Sequence, residues 1–152
     1  MNDSKAWSLF LVFLAAAGLA LVERGAPAQE TAAGFRVIVH AQNSTPSATP
    51  ASVSRWMLKK SMAWADGTPV EPVDLDERSA LRDAFSQSIH GRSPQTIVTF
   101  WQRQVFSGRD VPPPVVATDD AVVAYVRRRP GAIGYVSTAA RLEGVRELTV
   151  DW

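Results

Sequence analysis

The chain predicts an α/β domain in which a small sheet is flanked by helices. Two stretches carry that expectation. Phe35 to Ala41, FRVIVHA, holds an apolar Val37-Ile38-Val39 centre without clean alternation, the pattern of a strand covered on both faces. Near the other end, Ala121 to Val126 runs through Arg127-Arg128-Arg129 into Pro130-Gly131-Ala132-Ile133-Gly134-Tyr135-Val136-Ser137, which predicts a helix, a sharp stop and a buried strand. The segments between them alternate in the same way, so helices are expected around the sheet.

The 152 residues suffice for one ordinary domain. Ala6 to Val22 is an apolar run that follows Lys5 and precedes Glu23-Arg24 and Ala26-Pro27-Ala28, the layout of a signal peptide cleaved before Gln29. It falls somewhat short of the roughly 20 residues a membrane span needs, although an uncleaved anchor is the alternative. The expected division is therefore a signal peptide over 1–28, a flexible lead-in over 29–34 and a folded domain over 35–152. No cysteine is present, which excludes disulfides, thiol catalysis, cysteine-based metal sites and a lipid-modified N-terminal cysteine. The net charge of +1 gives no sign of a nucleic-acid partner.

After the first strand, Gln42 to Pro50 reads as a polar loop. Ser52 is the expected cap of a short helix with Val53, Trp56 and Met57 on one face. Trp64 to Pro69 is a turn, and Val70 to Asp74 a short strand whose Pro72 places it at an edge or an end. A helix starting at Ser79 carries Leu81, Ala84, Phe85 and Ile89 at core spacing and ends at His90-Gly91. Ser93-Pro94 opens the next, with Ile97, Val98, Trp101 and Val105 as its buried stripe. Arg109 to Pro114 is a proline-rich link. Thr118 caps the last long helix, Asp119 and Asp120 sit at its positive end, and the arginine triplet sits at its negative end. A final apolar run spans Leu142 to Val150.

Few residues suggest chemistry. His40 and His90 stand alone, without the spacing of a zinc site, and no metal ligand set is expected. There is no GxSxG elbow, no GxGxxG and no Walker lysine, so neither an enzyme nor a cofactor is expected. The start of the Ser79 helix has a physical claim to a ligand, as has the Asn43-Ser44-Thr45 loop at the end of the first strand, whose plainer alternative is a hydrophilic connection. The helix start offers unpaired N–H groups and a positive dipole end, with Arg78 and Arg82 beside it. Asp74, Asp76 and Glu77 act against an anion there, and an ordinary cap is the plainer alternative.

In order, VIVHAQNSTP, SRWMLKKSMAWADGTPVEPVDL, the Phe85 helix, FWQRQVFSGR and AVVAYVRRRPGAIGYVS resemble the phosphate-binding proteins of phosphate ABC transporters over nearly the whole expected domain. The resemblance implies a type 2 periplasmic binding-protein fold, a periplasmic location, a bacterial source and transporter membrane subunits as partners. In that family an arginine and an aspartate precede a serine-glycine-threonine at a helix start that grips the anion. Here Ser79 holds the serine place, Leu75 the arginine place and Leu81 the threonine place. The resemblance also implies two lobes in full-length members, and this chain has residues for little more than one. The expected function is an exported solute-binding-like protein for phosphate or another small oxyanion, with Arg78, Ser79, the Ala80 backbone, Arg82, and Ser44 and Thr45 from a facing loop as contacts. The alternative is an interaction module of the cell envelope that keeps the fold without the ligand, docking on another protein or on a second copy of itself.

Overall fold

The computed structural model describes residues 34–152. The expected signal segment and all but the last residue of the lead-in lie outside the described residues. In chain order the elements are β1 (Phe35–His40), β2 (Ser47–Ala48), α1 (Pro50–Met57), β3 (Glu71–Pro72), β4 (Asp74–Leu75), α2 (Ala80–Phe85, continued by a π-helical stretch, Ser86–His90), α3 (Pro94–Phe106), β5 (Val115–Val116), α4 (Asp119–Arg127), β6 (Ala132–Ser137), β7 (Val145–Glu147) and β8 (Thr149–Val150). Among the described residues no helix is long and apolar enough to cross a membrane.

The main sheet has four strands in the order β3-β6-β1-β7. β1 runs antiparallel to β6, with Phe35 opposite Ser137 and Val39 opposite Ile133, and antiparallel to β7; β3 is parallel to β6. Pro72 lies in β3, at the edge. The flanking Glu71 and Val73 N–H groups donate to Gly131 and Ile133 carbonyls at 2.9 Å, so the ladder asks for no donor at the proline.

Neighbouring side chains of β6 show the layering. A Cβ on Gly134 would lie 2.7 Å from Val122 Cγ1, so this residue faces α4 with no room for a side chain. Tyr135 points to the other face, its ring stacked on Phe85 of α2 with centroids 3.8 Å apart. Helices therefore cover both faces, which explains why β1 and β6 lack polar alternation even though they pair antiparallel. The core gathers Val37, Ile38, Val39, Val53, Phe85, Val122, Val126, Ile133 and Tyr135.

Several expectations need correction. α1 is capped by Thr49, which accepts from Ser52 N–H at 3.3 Å, because Pro50 takes the first helical position and moves the start upstream of Ser52. The polar loop after β1 contains β2, paired in parallel with β8. The last apolar run divides at buried Leu148 into β7 and β8. The proline-rich link ends in β5, which pairs with β4. Val105 is exposed: only the Ile97 and Trp101 side of α3 packs inward, against Leu58.

Candidate functional site

β4 leaves the sheet region through a tight turn into α2. Asp76 Oδ1 accepts from Arg78 N–H at 3.0 Å and from Arg78 Nε at 3.0 Å, while Asp76 C=O accepts from Ser79 N–H at 2.9 Å. The turn stands Ser79 in an extended conformation as the N-cap of α2. Its hydroxyl makes no capping bond, whereas Thr49, Ser93 and Thr118 each accept a backbone N–H at the start of their helices. Among the described residues no acceptor meets the Ala80 or Leu81 N–H groups. Ser79 is thus at a helix start, as expected, with its side chain uncommitted.

The two arginines have different situations. Arg78 is an exposed side chain paired with Asp76, and the bonds between them hold the Asp76 carboxyl below its ordinary range. Arg82 is buried, with Nη2 3.0 Å from Asp74 Oδ2. Asp74 Oδ1 also accepts from the Tyr135 hydroxyl at 2.6 Å and from Leu75 N–H at 2.9 Å. Burial pushes the Asp74 carboxyl up, against the pull of Arg82, Tyr135 and Leu75 N–H. The Tyr135 hydroxyl is pushed upward as well, by burial first and then by the adjacent carboxylate. This network locks α2 to β4 and β6, and it gives Arg82 a counter-ion inside the protein. Asp74 and Tyr135 escaped sequence reasoning as a pair. The available signal was one carboxylate in a strand-like segment and one phenol in the most apolar strand.

Ser44 and Thr45 are not brought to Ser79. β1 runs antiparallel to β3 through their shared neighbour β6, so the loop after β1 lies at the end of the sheet where β3 begins. Ser79 follows β3 and β4 and lies at the other end. The Ser44-Thr45 loop has a structural explanation of its own. Asn43 Oδ1 accepts from Thr45 N–H at 2.9 Å, and Arg146 Nη2 donates to the carbonyls of Asn43 and Thr45 at 2.9 and 2.5 Å. The facing-loop contact is a correction to the expected site, and its reason is strand direction.

What remains at the start of α2 is a hydroxyl, two backbone N–H groups and an exposed arginine paired with Asp76, at the positive end of a helix. Such a set can hold a small anion by hydrogen bonds. No group among these residues is placed as a nucleophile with its own base.

No protein-family model and no curated protein matches the chain. Solved structures do. A phosphate ABC transporter substrate-binding protein from Clostridium perfringens, solved with bound phosphate, superimposes with a TM-score of 0.62 at 22% identity, over 78% of this chain and 45% of that one. An ABC-type phosphate transport receptor from Vibrio cholerae gives 0.61 at 14% identity, over 77% and 46%. PstS from Borrelia burgdorferi gives 0.55 at 12% identity, over 78% and 47%. The described domain has the fold of these binding proteins, and the chain spans less than half the length of each.

Proposed function

We propose that this chain, built on the fold of a phosphate-binding-protein lobe, is an exported solute-binding protein that holds phosphate or another small oxyanion at the start of α2. The observation that carries the reading is the uncommitted Ser79 hydroxyl beside the Ala80 and Leu81 N–H groups. A tetrahedral oxyanion takes the hydroxyl and the Ala80 N–H, and Arg78 turns from Asp76 to complete the contacts. Arg82 adds positive potential from within rather than a direct contact, since Asp74 engages it. Binding involves no covalent chemistry. The solute is received in the periplasm, after removal of the signal segment, on behalf of the membrane subunits of an ABC-type uptake system.

Glu77 lies in the same turn without a basic partner within ion-pair distance among the described residues, and its charge opposes the anion. Two variants test the placement by calorimetric titration with phosphate. S79W fills the seat and abolishes binding; E77Q removes the opposing charge and tightens it. Unchanged phosphate affinity in S79W contradicts the placement.

A second reading, the envelope interaction module without a ligand, is favoured by the exposed apolar side chains around Phe106. Under it, phosphate produces no heat and no stabilisation in any variant.

A further inference from the structure

α3 ends in an apolar surface that the domain leaves uncovered. Phe106, its last residue, is 90% exposed, and Val111 and Val115 are 61% and 52% exposed. These side chains are contiguous. Phe106, Val105, Pro112 and Val115 rim a cleft of about 350 Å³ whose inner wall is Trp101 and Arg82, and Val105 also borders the adjoining hollow that reaches Val111. Isolated apolar residues on a surface are ordinary, whereas a ring of them around a concavity marks an interface. Removing so large an apolar ring from water is favourable, so the exposed state has a strong reason to find a partner.

We infer that this cleft is a self-association surface and that its partner is a second copy of this chain, related by a twofold axis. Knob and hole lie on one face. A single twofold rotation therefore brings the Phe106 ring of each copy to the cleft of the other. The charges around the cleft also suit a like partner. Glu77 lines it and Arg109 borders the adjoining hollow, whereas Arg82 and Asp110 are engaged by Asp74 and Lys59 of their own domain, so one acid and one base stay available on this face and a twofold can set one against the other. A strongly acidic or basic partner finds no matching field there.

The backbone offers a further contact. β4 and β5 form a two-stranded sheet, and Asp74 and Asp76 N–H groups donate to the carbonyls of Pro114 and Val116. That alternation turns the N–H and C=O of Val115 to the open side, next to the cleft, where a second β5 can pair with them. Trp101 and Arg82 are already buried against their own domain, so the surface is held in place before the second copy arrives.

The test is sedimentation of the whole protein, expressed with export and purified as the cell leaves it, from micromolar to tenth-millimolar concentration. The wild type is expected to form dimers. F106D is expected to associate at least about tenfold more weakly while unfolding at the same temperature, because Phe106 makes little contact within one copy. The chain has no cysteine, so single-cysteine variants report the face directly. A short bis-maleimide is expected to link Q102C, in the cleft, and to leave E143C, in the hollow on the α4 side of the sheet, unlinked. A wild type that stays monomeric throughout, an F106D that dimerises as well as wild type, or linking of E143C in place of Q102C overturns the inference. Glu77 and Arg82 border both the cleft and the start of α2, but F106D and Q102C alter none of the Ser79 contacts and S79W alters none of the cleft lining, so phosphate titration of S79W and sedimentation of F106D distinguish failure of the one reading from failure of the other.

Discussion

His90 shows how far one residue's surroundings set its chemistry. Its Nδ1 shares a 2.8 Å hydrogen bond with the Ser54 hydroxyl, and burial, followed by the charges of Arg92, Lys60 and Arg82, lowers its pKa to about 4. The ring therefore stays neutral in the folded protein while it protonates near 6.5 in the unfolded chain. Its contribution to stability is complete above that value and is lost as pH falls toward 4, by roughly 2–3 kcal/mol. Urea unfolding at pH 7 and pH 4.5, compared with H90Q, isolates this part from the titrating carboxylates, and H90Q is expected to lose less on acidification. Asp74 gives a second prediction. D74N leaves the Arg82 guanidinium buried without a counter-ion and is expected to cost about 3–5 kcal/mol, measured by urea unfolding at neutral pH. Gly131 gives a third, from sterics alone. A Cβ there would lie 1.8 Å from the Pro69 carbonyl oxygen, so G131A must displace the Trp64–Pro69 turn. Trp64 loosens with it, because its Nε1–H donates to the Gly131 carbonyl at 2.9 Å, and a red-shifted tryptophan fluorescence is the expected signature.

At the scale of elements, the helix starts separate structural caps from the candidate site. T118A removes a bond to Ala121 N–H and is expected to cost about 1 kcal/mol. S79A removes no such bond, so its stability in urea is expected to match wild type while its phosphate affinity falls. Most elements were legible for local reasons. Thr118, the arginine triplet and Pro130-Gly131 state the bounds of α4 and β6 in the chain itself, and Gly91, with φ +61°, closes the helical segment at the expected place. What escaped depends on distant partners. β2 and β5 are two residues each and exist only through β8 and β4. Val105 has helical spacing to the core, but nothing in α3 itself says that packing stops at Trp101. Asp119 was legible as a charge at a helix start, yet its carboxylate also accepts from the Ser137 hydroxyl and N–H at the end of β6. The candidate site divides the same way. Ser79 and Arg78 follow from local sequence, whereas the inward turn of Arg82 and the remoteness of Ser44 and Thr45 follow from the antiparallel pairing of β1 with β6.

For the whole molecule, the main fact is one of size. The chain carries the fold of phosphate-binding proteins in less than half their length. The cleft beside Phe106 predicts that self-association accompanies the domain in solution. The proposed hold on an oxyanion is tested by calorimetric titration of the exported, purified protein with phosphate, with sulfate and chloride at matched ionic strength as controls. Saturable heat with phosphate that chloride does not reproduce and S79W abolishes is the predicted result. A flat response to all three anions contradicts the claim and leaves an interaction module built on a binding-protein fold.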